Sequence, residues 1–302
     1  MHAQMGNGDA RRRSRIGQRM KAAIVAGCLC MASIGVSHAD TIMERIQRGE
    51  PIRHAIANDS PYGFIGSDGK ITGIEVELVR EVLTSMGAKS VEPTITTFGA
   101  LIPGIQAGRF DIASDGIYIR PERCAVVQFS TPDFMFGVGA FKRKGDTSIK
   151  ATSVAELAAN KSLRLGKLTG GSEDKAYVLA GGDRSQISDF TDRVSLAAAV
   201  KSNRIDVGLV TAMGAAAAAA NDPGIELITP LKPPVVNGKP FVYYTAFAFN
   251  KGDSAFAAEF NKRLSAIVQS PAYRELLAKY HVPPDVIPDA SAQTADICTA
   301  KQ

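Results

Sequence analysis

The chain has 302 residues, 45% of them apolar and 22% charged, enough for one large or two medium domains with real cores. Its formal charge is +5, but residues 1–39 hold six of the 35 basic residues and one of the 30 acids, which leaves 29 of each sign from Asp40 onward. A neutral body gives no sign of a basic face for phosphate backbones, so nucleic acid is not expected as a partner.

The N-terminal excess reads as an export signal over 1–39. An Arg-rich stretch and Lys21 lead into an apolar run from Ala22 to Val36, and Ser37-His38-Ala39 closes it as a small-residue cleavage site near Ala39. The run is short for a membrane span. Met20 could start a compact signal by itself, and Val25-Ala26-Gly27-Cys28 resembles a lipoprotein box placed early in the run. Export leaves Cys124 and Cys298 in the mature chain. Two cysteines in an oxidising compartment suggest one disulfide tying the tail to the body, the alternative being two unrelated thiols. With two mature histidines, His54 and His281, and no CxxC or HExxH spacing, neither a metal nor another cofactor is expected.

Beyond the leader, strands and helices alternate. Strands are predicted at 53–57, 94–97, 110–113, 137–142, 163–168 and 206–210, and a long aromatic-rich strand at 241–249. Helices are predicted at 74–86, 100–107, 153–160, 173–179, 195–202, 212–221, 254–268 and 271–280, with an irregular tail from Pro283. Strands separated by helices argue for parallel sheets covered on both faces. One internal repeat stands out at an offset of 95 residues: Ala100-Leu101 through Gly108-Arg109-Phe110-Asp111-Ile112 matches Ser195-Leu196 through Asn203-Arg204-Ile205-Asp206-Val207. Each copy is a helix, a residue suited to the left-handed closing turn, and a buried strand. The repeat predicts two similar lobes. The strands at 137–142 and 241–249 would cross between them as a hinge, and a ligand would sit in the crevice at the strand ends.

The chain also resembles a known family, the solute-binding proteins of polar amino acid ABC importers. The resemblance rests on Asn58-Asp59-Ser60-Pro61-Tyr62-Gly63-Phe64, Gly73-Ile74-Glu75-Val76-Glu77-Leu78, Phe98-Gly99-Ala100-Leu101-Ile102-Pro103, and Asp115 through Arg123 followed by Phe129-Ser130-Thr131-Pro132. It implies an α/β fold of the two-lobed periplasmic-binding-protein-like (type II) kind. Lobe 1 would comprise 40–141 and 247–302, and lobe 2 would comprise 142–246. It further implies a monomeric receptor in the periplasm that does no chemistry and hands its ligand to ABC permease subunits served by a separate ATPase.

In such proteins the arginine at the Arg123 position grips a ligand carboxylate, which suits the planar fork of guanidinium. Two departures are informative. Arg120 stands where Thr or Ser is common, and Thr211 stands where many amino acid binders place an Asp for the ligand's α-ammonium. Without that partner a buried ammonium is costly. Tyr62, Phe98 and Tyr118 fall in motifs that the family directs at the cleft, and three rings would suit a diffuse cation. Asp59 and Glu173 would accept its N–H groups from opposite lobes, and Gly170 lies in the turn before Glu173, where backbone can approach a ligand. This set looks like the ectoine/hydroxyectoine-binding branch, which Asp59 leaves in one respect, since Glu is expected there. The alternatives are a polar amino acid-binding protein, a cyclohexadienyl dehydratase-like enzyme on the same fold, and a sensor domain.

Overall fold

Short apolar strands alternating with one-sided helices build two five-stranded sheets in this computed structural model, which describes residues 41–228 and 230–300. The predicted leader over 1–39 lies outside the described residues. In the first sheet the strand order is Val91–Ile95, Ile52–Ile56, Ile112–Ala113, Ala248–Phe249, Gln128–Phe129. In the second it is Ile187–Phe190, Leu165–Leu168, Val207–Thr211, Val138–Arg143, Ile225–Ile228. The two orders correspond strand for strand.

Neither sheet is all-parallel, as the alternation had suggested. The first three strands of each are parallel, but Ala248–Phe249 and Val138–Arg143 run antiparallel to both neighbours. A parallel neighbour needs a crossover helix within the same half. These two strands instead arrive directly from the other half, so they enter from the opposite end. The residues expected to cross, 137–142, already belong to the second sheet, and the boundary expected at 141/142 falls inside Val138–Arg143. The antiparallel pair that runs between the sheets is Phe134–Phe136 with Tyr243–Thr245. The single strand expected over 241–249 is broken after Thr245, where Ala246 N donates to Ile117 O (3.1 Å) and Phe247 N to the Ser130 hydroxyl (3.0 Å).

The 95-residue repeat is a structural corner. Gly108 and Asn203 close their helices at φ +65° and +59°. Asp111 then accepts from Arg53 N (2.8 Å) and the Arg53 guanidinium, and Asp206 accepts from Arg164 N (2.8 Å) and the Arg164 guanidinium. Each aspartate therefore pins the start of its own strand to the next one.

Other differences have local causes. The helix predicted from 195 begins at Arg193, because the Asp192 side chain caps it by accepting from Ser195 N at 2.7 Å. The strand predicted at 94–97 spans Val91–Ile95; it contains Pro93, tolerated because this strand is a sheet edge. The tail carries a helix, Thr294–Thr299, and its Cys298 is joined by a disulfide to Cys124. No helix among the described residues is long and apolar enough to cross a membrane.

Candidate ligand-binding cleft

Side chains from both halves meet at the carboxyl ends of the sheet strands. From the first half, the tight loop after Ile52–Ile56 presents Asp59 and Tyr62. It is closed by Asp59 N donating to Gly63 O (2.8 Å) and Tyr62 N to Asp59 O (2.9 Å). The Tyr62 ring lies against Gly116, whose φ is +62° and where a Cβ would come within 2.8 Å of the ring, so a side chain there would be strained and would displace the ring. Tyr62 is fully buried among Phe134, Phe136 and Gly116, and its hydroxyl donates to Thr211 Oγ1 at 2.8 Å in the other half. Thr211 Oγ1 also accepts from Gly214 N (2.9 Å), capping the helix Ala212–Asn221.

Arg123 stands in the one-turn helix Pro121–Cys124, whose first position is Pro and whose last residue is the disulfide cysteine. Its guanidinium donates to Tyr118 O (2.8 Å) and, across the halves, to Gly170 O (2.7 Å). Burial pushes this guanidinium down to about 10, with the neighbouring Arg120 adding to the effect. Gly170 has φ +80°, a conformation that favours glycine, and a Cβ there would lie 3.0 Å from Gly99 Cα, so the two loops meet closely at this pair. Phe98 lies beside Arg123, ring centroid 5.8 Å from the guanidinium carbon, and the two line a cavity of about 170 Å³ with Ile102, Ile117 and Gly170. A larger apolar cavity of about 420 Å³ lies behind the crossing strands, lined by Met135, Met213, Leu231 and Val242, with Asp285 the only charged group among the described residues that line it.

Tyr118 is stacked on Tyr243 with centroids 3.9 Å apart and planes 6° off parallel, and the Tyr243 hydroxyl donates to Ser172 O (2.7 Å). One face of Tyr118 is therefore covered by protein, and its buried hydroxyl has no protein partner. Glu173, the first residue of the helix Glu173–Leu179, is buried with Oε2 unpartnered. Burial raises its carboxyl, against the opposing pull of Lys167 and Arg123. Asp59 is buried and ion-paired with Arg193, which reaches over from the second half. Burial raises the Asp59 carboxyl and Arg193 works against that rise.

The structure thus gathers Asp59, Tyr62 and Thr211 at one end of the cleft and Phe98, Tyr118, Arg123, Gly170 and Glu173 at the other. The expected three-ring arrangement is divided: Tyr62 and Tyr118 both touch Phe136, at 6.3 and 6.0 Å between centroids, whereas Phe98 packs against Arg123 instead. Asp59, expected to face a ligand with a free carboxylate, is engaged by a protein cation. Arg193 and Tyr243 escaped sequence reasoning. Tyr243 had only the aromatic richness of 241–249 to mark it, and Arg193 sits in a plain helical first turn with no signal at all.

Two α/β halves joined by a pair of crossing strands, with charged and aromatic groups of both converging between them, define a two-lobed periplasmic-binding-protein-like fold. Residues 52–283 match the bacterial extracellular solute-binding proteins, family 3, and the chain belongs to that family. It is 31% identical over 283 residues to the probable amino-acid ABC transporter periplasmic-binding protein y4tE of Sinorhizobium fredii, covering 92% of each chain. It is 26% identical over 261 residues to a probable amino-acid ABC transporter-binding protein of Haemophilus influenzae, covering 84% of this chain and 93% of that one. Among solved structures, that of EhuB in complex with hydroxyectoine superposes with a TM-score of 0.72 at 30% identity, covering 86% of this chain and 98% of EhuB.

Proposed function

We propose that the protein is a periplasmic receptor that closes on ectoine or hydroxyectoine and delivers it to the permease of an ABC importer, without chemistry of its own. The observation that carries this reading is the end of the strand Val207–Thr211. There Thr211 spends its hydroxyl on a helix cap and on Tyr62, and offers no carboxylate to an ammonium group. Ectoine is a cyclic zwitterion with a delocalised amidinium and a carboxylate and no primary ammonium. Its carboxylate would take the remaining N–H groups of Arg123, a bidentate match. Its flat cation would lie against Tyr118 and the edge of Tyr62, with a ring N–H on Glu173 Oε2. The likeness to EhuB in complex with hydroxyectoine supports the same assignment.

The lobes would hinge on Phe134–Phe136 and Tyr243–Thr245, and the Tyr62–Thr211, Arg123–Gly170 and Asp59–Arg193 contacts would form as they close. A second reading, a polar amino acid as ligand, is favoured by relatives named for amino acids and by the unpartnered Glu173 oxygen beside Arg123. Titration calorimetry with ectoine, hydroxyectoine, glutamine and lysine separates the two. Heat with either ectoine and none with the amino acids is expected; the reverse pattern overturns the assignment.

A further inference from the structure

We infer that Arg193 is a specificity-determining residue of this cleft: its guanidinium occupies the Asp59 carboxylate and so turns away ligands that bring a primary ammonium to the Thr211 end. The inference builds on the reading of this cleft as the solute site. Arg193 opens the helix Arg193–Lys201 in the second half and reaches Asp59 in the first, 134 residues away in sequence. Its guanidinium lies over Gly214, beside Thr211 Oγ1; a side chain at Gly214 would occupy its space. The cation is thus held where the strand Val207–Thr211 opens onto the cleft.

Three observations give it a role beyond joining the halves. Arg193 Nε and Nη1 are buried without a partner, so this end of the cleft presents donors that call for an acceptor on the ligand. Asp59 Oδ1 is also unpartnered, so one acceptor remains beside them. A neutral hydroxyl or carbonyl, or a single N–H next to an acceptor, can satisfy that mixed edge. A primary ammonium is disfavoured, because it brings three donors and a localised positive charge against a guanidinium already paired to Asp59, with Asp115 the other buried carboxylate within electrostatic reach. Like charges set close together in a buried site disfavour binding strongly, which is specificity obtained by repulsion. At the other end, Glu173 has its negative charge answered by both Arg123 and Lys167.

The test measures binding of ectoine, of its ring-opened hydrolysis product (the same carboxylate with a free primary ammonium), and of glutamine and lysine. Each is titrated into the wild-type protein, Arg193→Gln, and the double variant Asp59→Asn/Arg193→Gln, with thermal melting as a check on folding. The wild type should reject every primary ammonium ligand. Arg193→Gln, which frees Asp59, should gain at least about tenfold in affinity for one or more of them. The double variant, which removes the Asp59 carboxylate and leaves Asp115 as the remaining buried acid at this end, should lose that gain. A folded Arg193→Gln with no gain, or a gain that survives in the double variant, overturns the inference. So does a wild-type protein that binds the ring-opened compound as tightly as ectoine, a comparison that needs no variant. If the wild type binds no ectoine while Arg193→Gln gains ammonium ligands, the ectoine assignment falls and the role of Arg193 stands.

Discussion

Asp111 in the first half and Asp206 in the second occupy the same corner, each taking a backbone N–H and a guanidinium from the strand beside it. The strands that leave these two corners end differently. After Ile112–Ala113 the chain makes a left-handed turn, with Asp115 at φ +139° and Gly116 at +62°, before it presents Tyr118 and Arg123. After Val207–Thr211 it passes straight into a helix capped by Thr211. The duplicated corner is scaffold, and the two halves diverge in the few residues past each strand end. Burial differs as well: the Asp111 side chain is 6% exposed and also holds Arg45, whereas that of Asp206 is 19% exposed and faces an Arg164 in water.

The sharpest way to break this division is at the first strand's outlet. Arg123→Ala should reduce ligand affinity by about 30-fold or more, because truncating one partner of a buried charge pair costs about 2–5 kcal/mol. Calorimetry would register this, and wild-type affinity would show that the site is elsewhere. Next is the scaffold. Asp111→Ala should cost about 3 kcal/mol of stability, the scale of a broken buried ion pair, and Asp206→Ala distinctly less. Equal losses in denaturant melts would mean that burial does not separate the two corners. Tyr118→Ala should weaken binding by roughly tenfold, as a ring face and its stacking on Tyr243 are lost. An unchanged dissociation constant would remove Tyr118 from the ligand's surroundings.

The smallest effect concerns pH. Glu75 and Asp133 face each other in full burial beneath Tyr62, where Glu75 accepts from Gly116 N (3.0 Å) and Asp133 from the Thr245 hydroxyl (2.5 Å) on the crossing strand. Burial raises both; the charge of Asp133 pushes Glu75 up further, while hydrogen bonds from Thr245 and Glu75 work against the rise of Asp133, which still goes from 3.8 to about 6. The folded protein therefore holds protons that the unfolded chain releases. The stabilisation is complete below about 4 and is lost as pH rises through about 6. Asp133→Asn should flatten the dependence of melting temperature on pH across that window. A variant with the wild-type slope would place the titration on other groups.

Much of the fold was legible because its determinants are local. The helices Glu173–Leu179, Ala212–Asn221 and Ser254–Val268 match the predicted bounds, since apolar spacing and the N-terminal start signals act within a few residues. The repeat was legible for the same reason, as a turn residue and an aspartate at a fixed offset. Strands of two to four residues, such as Gln128–Phe129, Ile187–Phe190 and Ile225–Ile228, were missed, because a short apolar run has no period of its own and becomes a strand only when a neighbour supplies the hydrogen bonds.

The sequence by itself determined the alternation of elements and the paired corners, and its family motifs marked the arginine and tyrosines expected at the cleft. Only the tertiary structure decided which groups meet: Asp59 with Arg193 across 134 residues, Tyr62 with Thr211 across 149, Tyr118 stacked on Tyr243, and Phe98 drawn to Arg123. Periodicity and capping encode the conformation of adjacent residues. A salt bridge or ring stack between distant ones depends on where two sheets place their strand ends, and no short stretch of chain carries that information.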